Sequence, residues 1–189
     1  MTAQPDKPHD AVGCPDIVVT DEHRAYYASL GAPMASSSAL ITDAQGRILV
    51  VSPTYKSGWD LPGGMVDAGE TQIQGLTREL REELSLTGVP IGAFLVLDQV
   101  LASVYGRAVI DTVFHVGPLT EAQIGSLSCA DGEIDEWEFV PIDEVPPRLP
   151  HRVGLRVTAA HAALLNGVPA ALVAGEPHAV VREAASEAR

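Results

Sequence analysis

Residues 61–86 constrain this chain more than any other segment, because a glycine-rich approach leads directly into an acidic amphipathic pattern. From residue 71 to about residue 86, apolar side chains recur at intervals of three and four, which predicts a helix. These apolar residues are Ile73, Leu76, Leu80 and Leu84. At about 100° per residue they share one face, while Glu79, Glu82 and Glu83 lie together on the adjacent face. One face is therefore predicted to enter the core, and the other concentrates negative charge.

The acidic face has an ordinary interpretation as a solvated surface, with Arg78 and Arg81 offsetting the glutamates. Carboxylates so close together repel one another by a few tenths of a kcal/mol per pair. The preceding glycines, however, offer backbone that can approach a ligand closely, and Glu70 follows Gly64 by six residues at the helix entrance. Clustered carboxylates with a backbone carbonyl suit a hard divalent cation, above all Mg²⁺. The segment therefore predicts a cation site.

The same segment resembles the signature of the Nudix family, G-x5-E-x7-R-E-U-x-E-E-x-G-U, in which U is a bulky aliphatic residue. The matching residues are Gly64, Glu70, Arg78, Glu79, Leu80, Glu82, Glu83 and Leu86. Ser85 stands where the signature has its last glycine. Because serine tolerates left-handed backbone less well than glycine, we expect the helix to run slightly further, with Gly88 available to end it. The surrounding strand pattern agrees with the family over roughly residues 35–165.

This resemblance implies an α/β fold, the Nudix α/β/α sandwich with a mixed central β-sheet. It implies a Mg²⁺-dependent hydrolase, with Mn²⁺ as an alternative, that cleaves a pyrophosphate bond in a nucleoside diphosphate derivative by water attack on phosphorus. The substrate would be a nucleotide, a nucleotide sugar, ADP-ribose or a similar small molecule. Carried over by position, the metal ligands are the Gly63 carbonyl and the carboxylates of Glu79, Glu82 and Glu83. Gly64, Glu70 and Arg78 would be structural, with Glu70 and Arg78 paired.

A general base is expected in addition to the box glutamates, and the acidic residues 131–139 supply candidates. We favour Glu136 as a catalytic residue, followed by Glu133, with a solvated acidic loop as an equal alternative. Candidate substrate contacts are Tyr55, Lys56, Arg107 and Trp137. For the first three a plain surface position is the stronger interpretation, and for Trp137 a position in the core.

The 189 residues fit one domain with extensions. We predict an N-terminal arm with a short helix over 1–34, a Nudix hydrolase domain over 35–166 and a C-terminal tail over 167–189, its end either a frayed helix or disordered. The arm is predicted to be flexible over 1–16. The predicted elements are a helix over 21–31, a hairpin from 36–42 and 47–52, the acidic helix, a hairpin over 93–117, a short helix or turn over 120–127, a strand and helical turn over 136–146, and a helix over 152–167.

The charge balance limits the classes of partner. Lys and Arg number 12 against 25 Asp and Glu, a formal net charge of −13, which argues against binding to nucleic acid. No apolar run approaches the roughly 20 residues that a membrane span needs, so we expect a cytoplasmic protein without a membrane partner. Cys14 and Cys129 are far apart and match no zinc spacing. A homodimer is compatible with the 93–117 hairpin.

Two alternatives remain beside the hydrolase. One is a catalytically inactive Nudix-fold module that binds a nucleotide or regulates, although retention of Glu79, Glu82 and Glu83 counts against it. The other is isomerase chemistry on the same fold, which needs a catalytic cysteine. Neither Cys14 nor Cys129 has a suggestive context, so this alternative ranks last.

Overall fold

The computed structural model describes residues 19–129 and 132–178, and the chain divides into two compact units, residues 1–32 and 33–189. In the first unit, helix α1 spans Asp21–Ser29. The Thr20 hydroxyl accepts a hydrogen bond from the backbone N–H of His23, and the His23 ring accepts one from the Thr20 N–H. This reciprocal cap explains where the predicted helix begins. The predictions for residues 1–16 and 180–189 lie outside the described residues.

Within the described residues of the second unit, eight strands form one mixed sheet. They are β1 (Met34–Asp43), β2 (Ile48–Pro53), β3 (Gly63–Met65), β4 (Ile91–Val100), β5 (Val109–Leu119), β6 (Ile134–Val140), β7 (Ala170–Val173) and β8 (Glu176–Pro177). Their order is β6-β2-β1-β5-β4-β7-β8, with β3 paired to β1. The β1–β5 and β4–β7 pairs are parallel, and the other pairs are antiparallel. Both predicted hairpins, β1–β2 and β4–β5, are present.

Helices cover both faces of this sheet. They are α2 (Gln72–Leu84), α3 (Ala102–Tyr105), α4 (Glu121–Gly125), α5 (Val145–Arg148) and α6 (His151–Asn166), with a 3₁₀ turn at Ile142–Glu144. Side chains alternate between the faces of β1, so that Ile41 packs with Leu76 and Leu80 of α2, and Leu40 packs with Val157 of α6. The predicted α/β/α sandwich is therefore confirmed. In the described ranges, no helix is long and apolar enough to cross a membrane.

The end of α2 differs from the expectation for Ser85. Ser85 itself takes the left-handed backbone, with φ 55° and ψ 19°, and the helix ends before it. The Ser85 N–H donates to the Arg81 carbonyl and the Leu86 N–H donates to the Leu80 carbonyl, each at 3.0 Å, so carbonyls of the last turn of α2 have partners. The Ser85 hydroxyl also accepts a hydrogen bond from the Ser128 hydroxyl at 2.8 Å. The predicted extension toward Gly88 is wrong because these bonds hold serine in the conformation that glycine usually takes.

Several features of the fold were not predicted. The loop over residues 53–70 contains β3, the predicted tail contains β7 and β8, and the 93–117 hairpin contains α3. Ile73 is 49% exposed, so the buried face of α2 starts at Leu76. Strands of two to four residues are too short for alternation to distinguish them from loops. The sheet continues past residue 166, and the division into arm, domain and tail stays a prediction.

Candidate metal and substrate site

Gly63 and Gly64 form the base of the candidate site, because their lack of side chains permits two close approaches. Gly63 has φ 132°, and a Cβ there would lie 2.2 Å from the Ser37 carbonyl oxygen of β1. A Cβ on Gly64 would lie 2.5 Å from Glu79 Oε1. Heavier residues at either position would force strand β3 away from β1 or displace the glutamate. The glycines therefore let a carboxylate of α2 pack directly against the backbone of β3.

A second carboxylate of α2 reaches the same backbone. Glu83 is only 7% exposed, and its Oε2 accepts a hydrogen bond from the Gly63 N–H at 2.8 Å. Glu82 lies further out, with 40% of its side chain exposed, and accepts a hydrogen bond from Arg81 at 2.6 Å. The acidic face predicted from the sequence thus places Glu79 and Glu83 against the glycines and Glu82 at the outer edge.

Arg78 connects this acidic face to the preceding loop. Its Nε and Nη2 donate to the two carboxylate oxygens of Glu70, each at 3.0 Å, and Nη2 also donates to the Met65 carbonyl. Nη1 donates to Glu79 at 2.8 Å and to Glu82 at 3.3 Å. These bonds raise the pKa of Arg78, and the Arg78 hydrogen bonds lower the pKa of Glu70. The structure therefore shows the pair between loop and helix that the resemblance implies.

The carboxylates of the acidic face are residue types that suit a divalent cation, although hydrogen bonds occupy their oxygens in this structure. Among residues 19–129 and 132–178, no three His, Cys, Asp or Glu side chains form a group that could hold a metal ion. The carboxylates of Glu79, Glu82 and Glu83 instead accept hydrogen bonds from Arg78, Arg81 or a glycine N–H. Three carboxylates beside a half-buried glycine backbone are nevertheless the oxygen donors that Mg²⁺ prefers. A cation would bind there in competition with the arginines.

Glu133 belongs to the electrostatic surroundings of this acidic face. Burial raises the pKa of Glu79, Arg78 opposes the shift, and the charges of Glu82 and Glu133 add to it. The backbone of Glu133 is fixed just before β6, where its carbonyl accepts a hydrogen bond from the Thr54 N–H at 2.8 Å. The structure therefore brings Glu133, the second of the two candidate bases, toward the carboxylates of α2.

The first candidate base, Glu136, lies on a different face of the molecule. On β6, Trp137 and Phe139 pack with the cluster that contains α2, and their rings meet edge to face at 6.2 Å. Side chains alternate along a strand, so Glu136 shares the opposite face with Glu138, which accepts a hydrogen bond from Arg148. The structure does not bring Glu136 to the acidic face of α2, and it places Trp137 in the core.

A cleft of about 450 Å³ opens beside the two glycines and Glu83. Tyr55 and Lys56 line it, as the candidate substrate contacts require, and the Lys56 ammonium lies 5.4 Å from the centre of the Tyr55 ring. Arg107 does not line this cleft, whereas the nearby Tyr105 does. The cleft is therefore large enough for a nucleotide-sized group and adjoins the acidic face.

Comparison with known proteins identifies the family. The NUDIX domain model matches residues 32–161. The chain belongs to the Nudix family. This Nudix domain carries its box on β3 and α2, and Ser85 is accommodated there by the bonds described above.

Individual relatives agree with this membership. The chain is 37% identical to a Mycobacterium tuberculosis protein described as mutator protein MutT4, over 61% of this chain but only 42% of that relative's length. It is 31% identical to the CTP pyrophosphohydrolase of Escherichia coli, over 56% of this chain and 82% of the relative. The solution structure of the E. coli ORF135 protein matches with a TM-score of 0.58 at 26% identity, covering 72% of this chain and 94% of that one.

The floor of the cleft holds a buried ion cluster outside the Nudix box. Arg156 of α6 donates from Nε and Nη2 to Asp98 of β4 at 3.0 and 2.9 Å, and from Nη1 to Asp111 of β5 at 2.5 Å. Burial raises the pKa of Asp111 to about 6, and Arg156 opposes that shift. The sequence reasoning missed this cluster. The available signal was a single charged residue within each of three apolar runs, since lone buried charges are normally paired.

Proposed function

We propose that this Nudix domain is a Mg²⁺-dependent hydrolase that cleaves a pyrophosphate bond in a nucleoside diphosphate derivative, with Mn²⁺ as an alternative. The observation that carries the proposal is the contact of Glu79 and Glu83 with the two glycines at the edge of the cleft. The cation would be held by these carboxylates, Glu82 and the Gly63 carbonyl. When bound, it supplies positive charge that offsets the charge of the phosphates.

In this hydrolysis, the oxygen of water bonds to one phosphorus and the anhydride P–O bond to the other phosphate breaks. The leaving phosphate takes the bonding electron pair, and a carboxylate takes the proton of the water. We propose Glu133 for this proton, because its charge acts on Glu79. Glu136 faces the opposite layer of the sheet and is the weaker candidate.

Nucleoside triphosphates are the first substrates to examine. One relative is named as a CTP pyrophosphohydrolase and another, from Ruthia magnifica, as an RNA pyrophosphohydrolase. In this chain, the Lys56 ammonium and the exposed Tyr55 ring line the cleft near Glu83. We propose that Lys56 interacts with a phosphate and that Tyr55 contacts the organic group. A small molecule is therefore the proposed partner.

The decisive variant is Glu83→Gln. Glutamine keeps the shape and can still accept a hydrogen bond from the Gly63 N–H, but it lacks the charge that a cation needs. We expect the rate with Mg²⁺ to fall at least on the order of 100-fold, because that is the upper end of the range for mutated outer-shell partners of metal ligands and Glu83 is proposed as a ligand itself. Hydrolysis products of a nucleotide panel, read by mass with Mg²⁺ or with a chelator, measure the effect. Glu121→Gln on α4, an exposed position, is the matched control and should retain the wild-type rate.

The same assay separates the hydrolase from the alternative, a catalytically inactive Nudix-fold binding or regulatory module. The hydrogen bonds that already occupy the carboxylates favour this alternative, because a cation would have to replace some of them. Nucleotide binding without turnover by the wild-type protein would support it. A Glu83→Gln variant as active as the wild type would contradict the assignment of the metal site.

A further inference from the structure

Asp111 is the member of the buried cluster that faces the cleft. Asp98 and Asp111 both pair with Arg156. Of these three residues, Asp111 and Arg156 line the cleft and Asp98 does not. One oxygen of Asp111, Oδ2, accepts the Arg156 hydrogen bond, and Oδ1 lies 3.5 Å from the Ser38 hydroxyl. The Ser36 side chain also forms a hydrogen bond with this carboxylate. A distance of 3.5 Å is the weak limit of a hydrogen bond. Because an ionised carboxylate can accept about four hydrogen bonds, Asp111 has capacity for a donor from a ligand.

Apolar side chains line much of the cleft around Asp111, namely Met34, Val51, Leu61, Val100, Val109 and Val153. Polar and charged side chains line it as well, namely Ser36, Ser38, Lys56, Asp60, Glu83 and Arg152. A flat heterocyclic ring suits such a mixed lining, because it buries its faces on apolar side chains and presents polar groups only at its edge. The exposed rings of Tyr55 and Tyr105 at the cleft also suit a flat group.

The charge at the floor determines which edge of such a ring fits. One guanidinium, that of Arg156, is shared by the carboxylates of Asp98 and Asp111, whereas Asp60 nearby has an ion pair of its own with Lys56. The floor therefore has an excess of acceptors. An N–H donor from the ring would relieve this excess, whereas a carbonyl oxygen would place two acceptors against each other.

We propose that Asp111 selects nucleotides whose base carries an exocyclic amino group at the edge that enters the cleft, as in cytosine, over the oxo counterpart, as in uracil. This inference rests on the proposed function, because it names the substrate of that site. A carboxylate accepting a hydrogen bond from the cytosine amino group is an established mode of base recognition. The residue is thus assigned a role in specificity, separate from the carboxylates of α2.

The test compares CTP with UTP, whose bases differ at C4, amino in cytosine and oxo in uracil, and at N3, which carries a hydrogen only in uracil. We measure kcat/KM for both with Mg²⁺ at pH 8, where a carboxyl group with a pKa of about 6 is ionised. The wild type should prefer CTP about 10- to 100-fold. In Asp111→Asn, the amide can also donate to uracil, so the preference should disappear or invert. Asp98→Asn is the matched control, because it alters the same Arg156 without changing the cleft lining, and it should keep the preference.

The ratio of the two kcat/KM values cancels the fraction of folded enzyme, so a loss of stability alone cannot mimic the result. A wild type without preference would overturn the inference, as would a preference that survives in Asp111→Asn or disappears equally in Asp98→Asn. If Asp111→Asn does not fold, the wild type is tested with a CTP analogue that has hydrogen in place of the amino group. The wild type should not prefer this analogue over UTP as it prefers CTP. Dissociation constants for CTP and UTP, measured in parallel, test the role of Asp111 even if neither nucleotide is hydrolysed. Absence of hydrolysis would refute only the proposed hydrolase activity.

Discussion

Two ion clusters in the molecule each place one arginine between carboxylates, but the two clusters differ in burial. One cluster joins Arg78 to Glu70, Glu79 and Glu82, and the other joins Arg156 to Asp98 and Asp111. The Arg78 side chain is 22% exposed and the Arg156 side chain is 8% exposed. Solvent can replace a lost partner in the first cluster but not in the second. The exposed cluster is therefore the one where the proposed cation would replace contacts of Arg78, whereas the buried cluster is fixed in place.

The sheet explains why the buried cluster needs its arginine. Asp98 and Asp111 are directly opposite each other on the antiparallel strands β4 and β5. Like charges in such a cross-strand pair are destabilising, and burial increases the repulsion because the effective dielectric is low. Arg156 reaches both carboxylates from α6. It therefore stabilises the strand pair as well as the floor of the cleft.

The largest expected effect is a loss of stability from a substitution in the buried cluster around Arg156. Arg156→Met leaves two carboxylates buried without a cation, and we expect the free energy of unfolding to fall by about 3–5 kcal/mol. Arg78→Met is the matched variant on the exposed side, and there we expect a loss of about 1 kcal/mol. Urea denaturation followed by circular dichroism measures both.

Equal losses in the two methionine variants would contradict the difference between the clusters. If Arg156→Met does not fold, Arg156→Lys provides the measurement. Lysine keeps the charge but cannot form the paired hydrogen bonds to Asp98, so its loss should lie between those of the methionine variants.

The two clusters also show what the sequence could reveal about the site. Arg78 and its carboxylate partners in this cluster come from one helix and the loop before it, at most eight residues apart. Helical spacing groups Arg78 with Glu79 and Glu82, and the Nudix resemblance adds Glu70. Arg156 is 45 residues from Asp111 and 58 from Asp98. Grouping those three requires the register of β4 on β5 and the position of α6 over the sheet. Neither is contained in local spacing.

The same distinction applies to the fold and to the candidate base. The sandwich and its longer elements followed from periodicity and from the Nudix resemblance. The left-handed Ser85 did not, because its stabilising partner Ser128 lies on a distant loop. Glu133 and Glu136 are close in sequence, but Glu133 is held just before β6 by the Thr54 N–H, whereas Glu136 lies on the face of β6 opposite the one that packs on α2. Such choices depend on tertiary packing, which propensity does not encode.

A smaller effect concerns the response of the buried cluster to pH. Burial raises the pKa of Asp111 to about 6, among the charges of Arg156, Asp98 and Asp60. Between about pH 4, near the unfolded pKa, and pH 6, the folded state holds a proton that the unfolded state lacks. This group's contribution to stability therefore decreases as pH rises through that window and is constant above it. Asp111→Asn lacks the group, so its stability relative to the wild type should increase between pH 4 and 6.

Urea unfolding at half-unit pH steps measures this difference. Asp143→Asn, at an exposed position after β6, is the control and should show no comparable change. A pH-independent difference between wild type and Asp111→Asn would show that Asp111 does not titrate in this window.

The smallest expected effect has the opposite sign and belongs to the exposed cluster. Hydrogen bonds from Arg78, together with one from the Asp67 N–H, lower the pKa of Glu70. Its stabilisation is therefore complete above the unfolded pKa of about 4.3 and is lost as pH falls through the lower folded value. Glu70→Gln should be less stable than the wild type at pH 7, and the difference should shrink below about pH 4.3, with Glu121→Gln as the control. Since Asp111→Asn gains relative stability as pH rises and Glu70→Gln loses it, slopes of the same sign would refute the contrast between the two arginine clusters.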